Sequence, residues 1–381
     1  MNIVQYNLTT TTKEGGVETF VWELSRHLAR RGHTVTIIGG AGTISRSVPA
    51  VRVLRFPFVE RMTWRAFKPF RRHVELTKLL ERMSLMPAAV PNALALQPDL
   101  LHLHKPYDFV VGPLAHAAGA KVIYHGHGED FYPFDQPLSQ TADAMLSCSG
   151  YNASTLKARY HREPEVVFNG FDAELFQPQL LDATERSHWL QADERGILFV
   201  GRLQPWKGVQ YAIQALRLLV PQRKLRLLIS GAGTYRPTLE QLVARLGLQG
   251  QVTFLGSTPH AQMPQLYAAA DVVVGTSFAS ETFGMALCEA LACARPVIAS
   301  DWLGFQEVVV DGQSGLVVPA QNPAALAAAI ERILDDPALG RQLAMEGRRH
   351  VHRLFTWEAV TDRVEAVYQR LVSSATRPQC S

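Results

Sequence analysis

Two glutamates eight positions apart, Glu281 and Glu289, bracket the tripeptide Phe283-Gly284-Met285 in the stretch Ser280 to Ala292. The pattern predicts a strand ending before Glu281 and a helix opening near Phe283 to Met285. A helix N-terminus carries backbone N–H groups with no partner in the helix, which suit an anion. Gly284 lets a ligand come close to the backbone. Carboxylates on either side bind hydroxyls, so the pattern suits a ligand phosphorylated in the middle and hydroxyl-rich at both ends. A nucleotide-sugar has that layout. The competing reading makes Glu281 a solvated loop residue and Glu289 a solvated helix residue. It is weakened by the apolar run around Glu289, from Met285 to Leu291.

A second group is Val200-Gly201-Arg202-Leu203-Gln204-Pro205-Trp206-Lys207-Gly208, where a strand runs into a glycine turn before a helix. Arg202 and Lys207 can neutralise a departing diphosphate, one as a bidentate fork and the other as a compact charge. Surface cations in an ordinary strand-to-helix loop are the alternative. A third group, Lys13-Glu14-Gly15-Gly16-Val17-Glu18, is a glycine-rich loop entering a helix, without the full dinucleotide fingerprint. The fourth, Tyr124-His125-Gly126-His127-Gly128-Glu129-Asp130, closes a strand with two histidines and two acids. By residue type it fits either a metal site or a ligand-facing strand end.

These groups must be positioned by two successive α/β halves. Asn2 to Tyr6 reads as a strand. Val17, Phe20, Val21, Leu24 and Leu28 recur at helical spacing, Gly32 ends that helix, and Thr34 to Ile38 is the next strand. This is a βαβ unit of a doubly wound parallel sheet. Val51 to Phe56, Leu100 to His104, Ala120 to His125, Asp143 to Ser149 and Val166 to Asn169 continue the strand series. The pattern restarts with Gly196 to Gly201, then Lys224 to Gly231, Val252 to Leu255, Val272 to Thr276, Pro296 to Ser300 and Gly315 to Val318, with helices between. Ligands in such sheets bind at the carboxyl ends of the strands.

Glu281-x7-Glu289, followed by Ala290, Leu291 and Pro296-Val297-Ile298-Ala299-Ser300, resembles the donor-site signature of glycosyltransferase family 4. The resemblance runs nearly the full chain. It implies a GT-B fold, two Rossmann-like doubly wound domains facing across a cleft. The expected parts are an acceptor-binding domain over 1–172, a linker over 173–195, a donor domain over 196–354, and a terminal helix over 355–381 crossing back to the first domain. Glu289 is expected on the ribose hydroxyls and Glu281 on the transferred sugar. Phe283, Gly284 and Met285 are expected to meet sugar hydroxyls and phosphate through their backbone. Arg202 and Lys207 would clamp the diphosphate, and Gly15 and Gly16 would close over it. Gly231 and Gly233 would line the nucleotide. His125 best matches the family's strand-end histidine near the transferred sugar, with His127 as the alternative.

The implied activity is retaining transfer of a sugar from a UDP- or GDP-sugar to an acceptor hydroxyl, in polysaccharide or glycolipid assembly. No Asp-x-Asp occurs, so a metal-bridged diphosphate is not expected. The rival readings are a nucleotide-sugar epimerase of the same architecture, a phosphorylase, and a non-catalytic nucleotide-sugar-binding module. Three loops depart from the family pattern. Ala294-Arg295-Pro296 lacks the usual glycine, Leu303-Gly304-Phe305 lacks a Gly-Gly pair, and Gly275-Thr276-Ser277 replaces a common Pro-Ser.

Composition fits this reading. The 381 residues suit two domains, and 47% apolar with 19% charged residues is an ordinary globular balance. A net charge of +4 argues neither for nor against a nucleic-acid partner, and with no zinc-finger or helix-turn-helix signal none is expected. The four cysteines have no metal-pair spacing and read as reduced, in a cytoplasmic protein. From Arg52 to Arg82 nine Arg/Lys face three Asp/Glu. Trp64, Phe67 and Phe70 recur among Arg65, Lys68, Arg71 and Arg72, so 61–82 is a candidate for contact with an anionic membrane face and a lipid-linked acceptor. Pro69 interrupts it.

Overall fold

The computed structural model describes residues 1–44, 46, 48–67 and 72–375, which form two compact units. The first unit comprises Met1–Gly170 and the C-terminal segment from Trp357; the second is Phe171–Thr356.

The first unit is built on seven parallel strands: β1 (Asn2–Tyr6), β2 (Thr34–Gly40), β3 (Val51–Phe56), β4 (Leu100–Leu103), β5 (Lys121–Gly126), β6 (Ala144–Ser147) and β7 (Glu165–Val166). Their order is β3-β2-β1-β4-β5-β6-β7, with Ile3 opposite both Val35 and Leu100. Side chains alternate across the sheet. Val4, Leu101 and Val122 face the helix Val74–Ala95 through Leu85 and Ala89. Ile3, Leu100 and Ile123 face Phe20, Leu24 and Leu28 of the helix Gly16–Arg30, together with Trp357, Val360, Val364 and Tyr368. Those last four belong to the terminal helix Trp357–Ala375, which thus completes the first unit's core. Arg31 holds it from outside through Asp362 at 2.7 Å and Glu365 at 2.8 Å.

The second unit repeats the plan with β8 (Arg195–Val200), β9 (Leu225–Ser230), β10 (Val252–Gly256), β11 (Val272–Gly275), β12 (Val297–Ser300) and β13 (Leu316–Val318), ordered β10-β9-β8-β11-β12-β13. In both sheets the strand order reverses at the fourth strand of the unit, between β1 and β4 and between β8 and β11. The crevice for a ligand opens beyond the carboxyl ends of such a pair.

Two segments differ from the sequence expectation. Residues 173–195 cluster with the second unit. Asp182 and Glu185 form a capping box on a short helix, Ala183–Ser187. Arg186 then reaches Asp271 at 3.0 Å, and Leu190 is buried beside Gly196. Residues 61–82 are not one basic aromatic helix. A helix covers Arg61–Ala66, and another runs Val74–Ala95 through Pro87 and Pro91, prolines that hid it from the helical pattern. Lys68, Pro69, Phe70 and Arg71 lie outside the described residues. Lys78 and Arg82 turn inward: Lys78 pairs with Glu75 at 2.9 Å and Asp130 at 3.1 Å, and buried Arg82 pairs with Asp108. Arg72, His73 and Phe134 instead edge a cavity of about 570 Å³ that also takes Val74, Leu76, Leu79 and Tyr132. Among the described residues no helix is long and apolar enough to cross a membrane.

Candidate active site

In the second unit, β8 delivers Arg202 and Lys207, and β11 delivers Glu281 and the helix Met285–Ala292. These two strands flank the topological switch point. The loops beyond them are fastened to each other by hydrogen bonds. The Thr276 hydroxyl donates to the Lys207 carbonyl at 2.9 Å, and the Phe278 amide to the Trp206 carbonyl at 2.9 Å. Gly231 and Gly233, beyond β9, serve the same end: a Cβ on Gly231 would strike the Gly201 carbonyl, and one on Gly233 that of Leu203. The loop beyond β12 braces Glu281 from the other side, since Trp302 Nε1 donates to its carbonyl at 2.8 Å.

Lys207 and Glu281 form an ion pair, with their side chains only 13% and 20% exposed. The sequence assigned them separate ligand contacts, one to diphosphate and one to sugar; the structure couples them. Arg202 is exposed and has no side-chain partner among the described residues. Its charge is therefore uncompensated locally, as an anion site requires. Gly284 takes φ +90 at the N-cap of the helix Met285–Ala292, and a Cβ there would meet the Phe305 ring. Phe283 is buried edge-on against Phe355 at 5.0 Å, so its ring is taken up in packing.

Glu289 lies on that helix, half-buried. Its Oε2 accepts from the Tyr267 hydroxyl at 2.9 Å, and Oε1 lies 3.6 Å from Nε2 of His260. Tyr267 comes from the helix Met263–Ala269, and sequence reasoning missed it. A tyrosine two elements upstream gives no local sign that it will reach a carboxylate. Burial and the nearby Glu289 carboxylate hold the Tyr267 phenol well above its ordinary pKa, so it stays a donor. Together, a free guanidinium, a lysine–glutamate pair, a glycine-capped helix N-terminus and an oriented carboxylate can hold a phosphorylated, hydroxyl-bearing ligand.

In the first unit Gly15 and Gly16 open the helix Gly16–Arg30 and are both exposed. A Cβ at Gly16 would meet nothing, and one at Gly15 only the flexible Glu18 carboxylate. No fold contact uses their missing side chains, which leaves the loop open for a ligand. Beyond β5 the placement corrects one expectation. His125 is 0% exposed, enclosed by the rings of Phe20 at 4.6 Å, His127 at 4.3 Å and His102 at 5.7 Å. Burial pushes its pKa down to about 3, against the backbone of Val167. A side chain enclosed on every face does not touch a ligand. His127, the alternative, is part-exposed just past the strand end. Burial, then the neighbouring His125, Lys105 and His102, lower its pKa well below the ordinary value, so it is neutral. Among the described residues no group of three or more His, Cys, Asp or Glu is arranged to hold a metal ion.

Comparison with known proteins agrees along the whole chain. The family described as Glycosyltransferase Family 4 matches residues 14–175, and Glycosyl transferases group 1 matches 182–350. D-inositol 3-phosphate glycosyltransferase of Thermomonospora curvata is 31% identical, over 94% of this chain and 91% of that protein. Sucrose-phosphate synthase of Thermosynechococcus elongatus superimposes with a TM-score of 0.79 at 25% identity, over 98% of this chain and 99% of that one. Anabaena HepE, solved with UDP, gives 0.79 at 22% identity, over 97% and 100%. The fold is thus that of GT-B glycosyltransferases.

Proposed function

This chain belongs to glycosyltransferase family 4, and we propose that it transfers a sugar from a nucleoside-diphosphate donor to an acceptor hydroxyl with the anomeric configuration retained. The observation that carries the reading is the charge arrangement beyond β8 and β11. Arg202 and the Lys207–Glu281 pair share one switch point with a glycine-capped helix that bears Glu289.

In this reading Glu289, aimed by Tyr267, accepts from the ribose hydroxyls. Arg202, Lys207 and the amides at Phe283 to Met285 receive the diphosphate, whose charge grows as the sugar departs. Donor binding shifts Lys207 from Glu281 towards phosphate and frees the Glu281 carboxylate for a sugar hydroxyl. The acceptor attacks on the face the leaving group vacates, and the leaving phosphate takes the acceptor proton. His127 is the strand-end histidine that serves the transferred sugar, and Gly15 and Gly16 approach the diphosphate and acceptor. UDP is the first donor nucleotide to test, because HepE is solved with UDP and with UDP-glucose. D-inositol 3-phosphate is the first acceptor to test, from the names of the relatives. The cavity beside Phe134, edged by the exposed Arg72 and His73, suits a lipid-linked acceptor at an anionic membrane face in polysaccharide or glycolipid assembly.

The test is a panel of UDP- and GDP-sugars with and without acceptors, scored for nucleoside diphosphate and for the anomer formed. Acceptor-dependent release with retained configuration is expected. Acceptor-independent epimerisation of the sugar, or binding with no turnover on any pair, would overturn the reading.

A further inference from the structure

Beneath His127 lies a polar core that the transfer reaction does not by itself require. His102 and His104 of the β4 segment and His125 and His127 of the β5 segment form one stack. Ring centroids are 4.4 Å apart for His102 and His104, 5.4 Å for His104 and His127, and 4.3 Å for His125 and His127. Gln5 of β1, His102 and His104 are at most 1% exposed. Burying this much polar surface is costly unless each group finds a partner, and an apolar core of the same shape would be cheaper.

The groups that find partners form a single chain, which leaves out both ring nitrogens of His125 and Nε2 of His102. Nε2 of His104 lies 2.7 Å from Oε1 of Gln5. An amide oxygen only accepts, so that nitrogen carries the proton. His104 is fully buried and neutral, which leaves a lone pair on Nδ1. That lone pair faces Nε2 of His127 at 3.2 Å, so Nε2 of His127 must be the donor. In the other direction the Gln5 amide donates to the Tyr368 hydroxyl at 3.4 Å, and that hydroxyl donates to Nδ1 of His102 at 2.6 Å. This chain places the proton on His127 through residues on β1, β4 and the terminal helix, and the Asn169 side chain is a further hydrogen-bond partner of the same ring. Turning the Gln5 amide over would reverse every donor and move that proton to Nδ1.

We infer that His104, Gln5 and Tyr368 are positioning residues that keep the proton of His127 on Nε2, at the carboxyl end of β5. The functional half of this inference rests on the reading of His127 as the histidine that serves the sugar. It also gives the terminal helix a task beyond packing: Tyr368 orients the amide that decides the tautomer.

The experiment uses the full chain labelled with ¹⁵N-histidine, with long-range proton–nitrogen correlations assigned to His127 through His127→Gln. Wild type is expected to show a protonated Nε2 and a bare Nδ1 on His127 near neutral pH. His104→Phe keeps the ring volume of the stack but cuts the chain, and Tyr368→Phe is the milder cut should the first variant fold poorly. In each, the two nitrogens of His127 should average. The turnover number should fall about tenfold, the scale of one lost hydrogen bond, with donor KM unchanged. A role in packing alone leaves turnover intact in these ring-for-ring exchanges. A proton on Nδ1, or an imidazolium, in the wild type overturns the inference. So does unchanged turnover in a variant whose spectrum has changed. Full activity in His127→Gln would instead remove His127 from the reaction and end the functional half, while the spectra still decide the tautomer.

Discussion

Beyond β8 and β11, the second unit carries an exposed Arg202 with half-buried Lys207, Glu281 and Glu289 at its carboxyl edge. The first unit's β4 and β5 segments stack four imidazoles, three of them buried and all four neutral. The strand order is the same around both switch points. What differs is the state of the polar groups. One edge keeps charge within reach of water and of an anion, with its loops locked by backbone contacts at Gly231 and Gly233. The other removes charge by burial and fixes proton positions through side-chain hydrogen bonds. One architecture therefore supports two kinds of strand edge, one charged and open to water, the other neutral and enclosed.

The largest expected effects break the charged edge. Arg202→Ala, Lys207→Ala or Glu289→Ala should each lower kcat/KM by about 100- to 1,000-fold, the scale of a lost transition-state donor. Near-normal turnover in all three would put the chemistry elsewhere. Glu281→Gln separates binding from turnover. It releases Lys207 from its partner, so nucleoside diphosphate should bind about fivefold tighter, on the scale of a partly exposed ion pair, while transfer falls. Weaker diphosphate binding by calorimetry would show that the pair orients Lys207 and does not restrain it.

A middle-sized effect tests the neutral edge. The four imidazoles have lower pKa values folded than unfolded. Below about pH 6.5 the unfolded chain binds more protons, so this stabilisation is complete above that pH and drains as pH falls. For His125 the window extends down to about 3. That residue alone should cost about 1.4 kcal/mol per pH unit inside it. Urea unfolding followed from neutral to acid pH should show the loss, and His125→Phe should flatten it. An identical slope in the variant would mean that His125 is charged in the folded state.

The smallest effect concerns the end of the helix Met285–Ala292. Ala294 takes φ +53 where the family usually has glycine, and the amides of Ala294 and Arg295 return to the carbonyls of Leu291 and Ala290. This is a Schellman closure with alanine in the left-handed position. Relief of roughly 1–2 kcal/mol of backbone strain is offset by glycine's greater loss of chain entropy. Ala294→Gly should therefore raise stability by under about 1 kcal/mol, a Tm gain of a few degrees at about this domain size. A lower Tm would show that the surrounding packing has absorbed the strain.

The amino-acid sequence by itself determined the two successive parallel α/β halves, because hydrophobic periodicity and glycine turns act over a few residues. It also pointed to Arg202, Lys207, Glu281 and Glu289, since each belongs to a short motif at one strand end. The continuous helix through Pro87 and Pro91 was not legible, because tertiary packing outweighs the local cost of proline. Only the tertiary structure decided which histidine is buried, that Lys207 holds Glu281, that Tyr267 aims Glu289, and that Gln5, His104 and Tyr368 meet beneath His127. Gln5 and Tyr368 lie at opposite ends of the chain, and a hydrogen bond between them leaves no trace in local spacing. Such contacts arise when the sheet and the terminal helix pack, and burial then fixes their proton states.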